Sequence, residues 1–130
     1  MRDIHKIIVH CADTPANRFH DAADLRKWHK HRGFSDIGYH YVVLLDGTIQ
    51  KGREDKVTGA HCKGHNSTSI GVCYIGGKGE DTRTESQSAT LIHLITFLKR
   101  MYPEAEVFSH SDFSSKKCPQ FNAKMEYADL

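Results

Sequence analysis

The sequence predicts an α/β fold, a single domain over residues 1–130 with a central mixed β-sheet flanked by helices. Three observations lead there. Residues 4–10 form a short β-branched run of the kind covered on both faces of a sheet. Residues 84–102 carry Leu91, Leu94, Ile95, Leu98 and Met101 at helical spacing. Residues 69–75 set Ile70, Val72 and Tyr74 in alternation with Gly71, Cys73 and Ile75, the period of a strand.

The elements follow in order. The first strand ends at the turn-prone Asp13-Thr14-Pro15. Asp21 caps a helix over 22–32, with Ala22, Leu25, Trp28 and His29 at helical spacing and Gly33 as the stop; Trp28 is read as a core residue, with a glycan or peptide groove lined by Trp28, His29 and Arg32 as the alternative. Residues 39–45 and 48–52 flank Asp46-Gly47, the signature of a β-hairpin. A polar loop with Gly59 and Gly64 leads to the 69–75 strand, and Gly76-Gly77 opens a flexible connector over 76–83. Thr84 and Gln87 make a capping box for the long helix, which Pro103 ends. A short strand at 107–108 delivers His110, and 121–127 can form a last helical piece.

Composition narrows the function. Hydrophobic residues make up 38% and charged residues 26%, as in an ordinary globular domain. The net charge is only +2, and the 18 basic residues are spread along the chain, so neither a nucleic acid nor a membrane is expected as partner. The first apolar run is too short for a signal peptide, and no stretch approaches a membrane span. Cytoplasmic synthesis without a signal peptide, and cysteines 11, 62, 73 and 118 as reduced thiols, are the matching expectations. Ten histidines are too many to share one role.

His10 ends the first strand and His110 follows the last. If those strands are neighbours, both imidazoles leave the same edge of the sheet, where α/β folds place their sites. Cys118 returns after a loop long enough to reach the same point. Two imidazoles and a thiolate are a donor set for catalytic zinc, which keeps three protein ligands and one open position. On spacing alone, the alternative stands: Cys118 as a small packed hydrophobe and the histidines as solvated surface.

Several stretches resemble the zinc amidases that cut N-acetylmuramoyl–L-alanine bonds in peptidoglycan. They include Ile8-Val9-His10, Leu25 through His29, Asp36 through Tyr41, Asp46-Gly47-Thr48 and Gly59-Ala60-His61. Asn66, Ser69 through Val72, His110-Ser111-Asp112 and Lys116 through Pro119 continue the match in the family's order. The chain is most similar to the small phage lysozyme-type amidases, which share their fold with animal peptidoglycan recognition proteins. The resemblance implies one zinc ion on His10, His110 and Cys118, with Tyr39 and Lys116 as auxiliary catalytic positions. His61, in the Gly-Ala-His stretch, is read as a contact to substrate or to a zinc ligand, with a hydrogen bond to a loop as the equal alternative. The resulting reading is a hydrolase that acts on the cell wall after release, with a monomer as the default expectation and the catalytic groove itself expected to supply specificity. Asn66 is expected to fix a turn, and His5, His20, His31, His40, His65 and His93 receive no role.

Two other readings stand beside it. One is a binding module, a peptidoglycan receptor or a regulator of another enzyme. The presence of the cysteine ligand argues against a receptor. A phage relative inhibits its own RNA polymerase through residues before the first strand, of which this chain has three, so such a partner is not expected. The other is a cysteine peptidase using Cys118 with His110 or His61. A reactive cysteine usually heads a helix, whereas Pro119 follows Cys118 directly.

Overall fold

The computed structural model describes residues 2–130. Its strands are β1 (Lys6–Cys11), β2 (Tyr41–Val43), β3 (Ile49–Lys51), β4 (Ser69–Tyr74) and β5 (Glu106–Ser109); its helices are α1 (Ala22–His31), α2 (Glu85–Met101) and α3 (Ala123–Glu126). They build one five-stranded sheet in the order β3-β2-β4-β1-β5. Only the β2–β3 pair is antiparallel; β4 runs parallel to β2 and β1, and β5 runs parallel to β1. The sheet is therefore mixed, and β1 is interior.

Alternation along the central strands creates two cores. Ile7, Val9, Ile70, Val72 and Tyr74 face Leu91, Leu94, Ile95 and Leu98 of α2, with Ala123 and Tyr127 beside them. Val42, Cys73 and Ile75 face the opposite way, against Ala22, Leu25 and Ile37. Each fully buried leucine or isoleucine contributes about 1.5–3 kcal/mol. Both helices begin as the sequence implies. Asp21 accepts from the Asp24 N–H, Thr84 accepts from the Gln87 N–H, and each capping box is closed.

Details depart from expectation for local reasons. Asp46-Gly47 sits in a three-residue loop: Gly47 N–H donates to Leu44 O, and Leu44 pairs with Thr48 O. Gly47 adopts φ +88°, which closes the turn as a one-residue bulge. Trp28 is not a core residue. The buried face of α1 is Ala22, Leu25 and His29, and Trp28 lies 37% exposed beside it. Met101 likewise leaves the apolar stripe of α2 at its last turn, 49% exposed. His40, assigned no role, is fully buried: Nδ1 accepts from Gly71 N–H at 3.0 Å, and Nε2 meets Val57 O at 2.8 Å. Cys11, Cys62 and Cys73 are buried free thiols, as expected. Among the described residues, no helix is long and apolar enough to cross a membrane.

Candidate metal centre and its groove

Register brings the two candidate histidine ligands together. Along β1 and β5, Ile7 pairs with Val107, Ile8 with Phe108 and Val9 with Ser109. The next rung sets His10 beside His110, with ring centroids 4.5 Å apart. His10 is the penultimate residue of β1, and His110 opens a 3-10 turn just past β5. That turn is braced at its start: Ser109 N–H donates to Asp112 Oδ2 at 2.8 Å, and Ser109 Oγ accepts from Ala123 N–H at 2.8 Å.

Cys118 arrives on a loop tied to the sheet at several points. Its carbonyl accepts from Ser111 N–H at 2.9 Å, and Tyr74 donates its hydroxyl to Pro119 O at 2.7 Å. The backbone N–H of Cys11 donates to Cys118 Sγ at 3.0 Å. The donor atoms of His10, His110 and Cys118 all lie within 4.8 Å of one another. Tetrahedral coordination of zinc at about 2.0–2.3 Å per bond sets ligand atoms about 3.3–3.8 Å apart. Small side-chain rotations close this triangle on a metal, and two imidazoles with one thiol are donors that suit zinc. The site residues fit the ion.

The surroundings keep the imidazoles neutral, as a metal ligand must be. Burial depresses His10 well below the usual histidine range, with His61, His110 and Lys116 acting in the same direction. Burial, then Lys116, also lowers His110. The Cys11 side chain and burial push the Cys118 thiol up, so it reacts poorly as a nucleophile while protonated.

Tyr39, part-buried, follows Gly38, which passes so close to Ala60 O that a Cβ there would lie 2.1 Å from it. The Tyr39 ring stands 5.0 Å from that of His10. Burial, with Cys73 and Cys118 nearby, holds its phenol well above the ordinary value, so it stays protonated at neutral pH. Lys116 is exposed two residues before Cys118. A cleft of about 670 Å³ lies on one side, lined by Cys11, Thr14, Trp28, Tyr39, Lys117 and Cys118 among others. A second, of about 500 Å³, is lined by Phe34, His61, Lys63, Asn66 and Phe113 among others. The two share Arg32, Tyr39, His110 and Lys116. The result is one groove with cations on its walls, His110 where its two parts meet, Cys118 on the wall of the first, and His10 buried against His110.

The structure therefore gathers His10, His110, Cys118, Tyr39 and Lys116 at one place. His61 lies there too, its Nδ1 2.8 Å from His10 Nε2. Asn66 does fix a turn, its Oδ1 accepting from the N–H groups of His61 and Cys62 at 2.9 Å each. Sequence reading weighs Trp28, His29 and Arg32 as a groove wall but prefers the core for Trp28, whereas all three line the groove. The neighbours of Trp28 at helical spacing, polar Asp21, Asp24 and Arg32, were the available signal.

Comparison with known proteins gives a consistent picture. The family model described as N-acetylmuramoyl-L-alanine amidase matches residues 1–121. An endolysin of Klebsiella phage KP32 is 40% identical over 128 residues, covering 95% of this chain and 85% of the relative. An endolysin of Enterobacteria phage K11 is 39% identical over 126 residues, covering 93% and 83%. Among solved structures, the N-acetylmuramoyl-L-alanine amidase LysC from Clostridium intestinale superposes with a TM-score of 0.85 at 29% identity, over 96% of this chain and 82% of that one.

Proposed function

The chain belongs to the N-acetylmuramoyl-L-alanine amidase family and hydrolyses the amide between N-acetylmuramic acid and L-alanine in peptidoglycan, and from that premise we propose that one zinc ion on His10, His110 and Cys118 serves the reaction, with Tyr39 and Lys116 assisting. The observation that carries this reading is the convergence of those three donors within 4.8 Å. When bound, zinc acts as a Lewis acid and lowers the pKa of a water toward about 7.

The chain's own groups do the rest. As water adds to the amide carbonyl, negative charge gathers on the carbonyl oxygen, and the Lys116 ammonium beside the ligands offsets it. Tyr39, kept as a phenol by its burial, lines the same groove and can protonate the departing amine of L-alanine. Arg32 and Lys63 on the groove wall attract the carboxylates of a stem peptide. Trp28, at the rim of the first cleft, offers an aromatic face to a sugar ring. The role of the protein is that of a phage-type endolysin, a monomer that reaches the wall after release. A cysteine peptidase is disfavoured by the raised Cys118 thiol and by its place in a loop.

The test is metal content together with amide cleavage, on the purified protein and on Cys118→Ala. One zinc per chain, and new L-alanine N-termini from purified sacculi that both chelation and the substitution abolish, are the expected results. A chain that cleaves with no metal bound would overturn the zinc assignment.

A further inference from the structure

His61 is not one of the three clustered donors, yet more of the surrounding structure is devoted to placing it than to placing Lys116. Its ring meets that of His10 edge-on, with centroids 4.9 Å apart and planes at 86°. Its Nδ1 lies 2.8 Å from His10 Nε2, and its Nε2 lies 3.1 Å from Ser69 Oγ. Its backbone N–H is held by Asn66 Oδ1. Gly71 makes room for the ring: a Cβ there would stand 2.7 Å from His61 Cγ and Cδ2. Gly59 does the same, at 2.8 Å from Cδ2. His10 and Ser69 are 1% and 0% exposed, so the Ser69–His61–His10 row is shielded from solvent at both ends.

Proton placement along this row has one consistent solution once His10 holds a metal. His10 Nε2 is engaged with His61, which leaves Nδ1 to coordinate. A neutral imidazole coordinating through Nδ1 carries its proton on Nε2, and that N–H donates to His61 Nδ1. His61 then carries its own proton on Nε2 and donates it to Ser69 Oγ. We propose that His61 is a positioning residue, backed by Ser69, which fixes the tautomer and ring orientation of His10 and so raises the affinity of the site for zinc. The inference rests on the reading of His10, His110 and Cys118 as zinc ligands. It gives a common purpose to Gly59, His61, Asn66, Ser69 and Gly71. Hydrogen bonds that orient a ligating histidine in this way typically govern metal affinity by about 10–100-fold.

The measurement is the zinc dissociation constant, by competition with a chromophoric chelator, for the wild-type chain, His61→Ala, His61→Asn and Ser69→Ala. Nitrogen-15 NMR of the imidazoles in the zinc-loaded wild type accompanies it. His61→Ala weakens zinc binding by about 10–100-fold, and Ser69→Ala weakens it less. His61→Asn recovers most of the loss, because its amide oxygen occupies the place of Nδ1 and accepts from His10. The NMR spectra show His10 protonated at Nε2 and coordinated at Nδ1. Unchanged zinc affinity in folded His61→Ala and Ser69→Ala, or coordination through Nε2 in the wild type, overturns the positioning role and leaves the zinc reading standing. A wild-type chain that binds no zinc overturns the zinc reading, and this inference with it. The NMR arm needs no substitution, so a variant that fails to fold does not block the decision.

Discussion

The backbone N–H of Cys11 donates to Cys118 Sγ at 3.0 Å, across 107 residues of sequence. The residue next to one proposed ligand thus aims another, and the donor is main chain. Cys11→Ala therefore keeps this hydrogen bond and removes the thiol that holds the Cys118 pKa up, so zinc affinity is undiminished, at a stability cost of about 1 kcal/mol for the lost buried sulfur. Cys118→Ala removes a ligand and lowers amidase turnover by more than about 100-fold, beyond the effect of losing a supporting contact. Zinc titration and sacculus cleavage on both variants check the pair. Equal zinc loss in the two would mean that the Cys11 thiol itself coordinates.

Tyr39 and Lys116 separate from the ligands in their kinetic signature. A phenol held above its ordinary pKa and a lysine side chain, which has donors but no acceptor, offer zinc no ligand atom, so Tyr39→Phe and Lys116→Met retain the ion. Tyr39→Phe lowers kcat by about 100-fold, the scale of a lost proton donor. Lys116→Met lowers it by about 100- to 1,000-fold, the scale of lost oxyanion stabilisation. Steady-state kinetics on a soluble muropeptide would decide. Changes confined to KM would assign both residues to substrate binding alone.

Chelation separates the zinc amidase from a thiol enzyme. Removing the metal abolishes cleavage, and stoichiometric zinc restores it. With the ion in place, alkylating reagents inactivate slowly, because the thiol is occupied. Zinc also binds the folded chain selectively, so at 1,000 times its dissociation constant it stabilises by about 4 kcal/mol. A melting temperature that does not move on adding zinc would contradict this.

Most of the fold was legible because local signals agreed with one another. The Thr84–Gln87 capping box, the α2 stripe and the β-branched start of β1 each specify an element without long-range help. The adjacency of His10 and His110 followed from placing both at ends of neighbouring strands, and the β1–β5 register realises it. Trp28 and Met101 were misplaced for a common reason. A helical stripe is wider than the face that a helix buries, and only the neighbouring layer decides which margin stays wet. The link between His61 and His10 spans 51 residues. No period or spacing encodes such a contact, and the glycines that make room for it look like ordinary loop and strand residues in sequence.

Gln87 does more than its capping role implies. Its side-chain oxygen accepts from Thr84 N–H at 3.0 Å, while its amide nitrogen donates to Val43 O at 3.3 Å and Ile75 O at 2.8 Å. It is fully buried and joins the start of α2 to the ends of β2 and β4. Gln87→Ala leaves two buried carbonyls and one helix N–H without these partners, and costs about 2–4 kcal/mol. Urea unfolding measures it. A loss under about 0.5 kcal/mol, the scale of an ordinary surface substitution, would show that water takes over the contacts.

The stability of the metal-free chain falls in mild acid, and His40 contributes a defined part of the fall. Burial lowers its pKa from the ordinary 6.5 to about 4. Its Nδ1 already accepts from Gly71 N–H, so a proton there would set two donors face to face. Between these two pH values the unfolded chain takes up a proton that the folded chain refuses. Stability therefore declines as pH falls from about 6.5 toward about 4, by about 3 kcal/mol from this residue when the range is complete. Above that range neither state holds the proton, and below it both do, so this contribution is level at either end. His29 is buried with its Nδ1 accepting from Gly38 N–H, and its pKa is lowered too, which adds to the same trend. Urea midpoints of the metal-free chain at pH 7 and pH 5 test the sign: the midpoint drops on acidification. A midpoint that held or rose would mean that His40 gains its proton without cost, and that the Gly71 contact does not persist in solution.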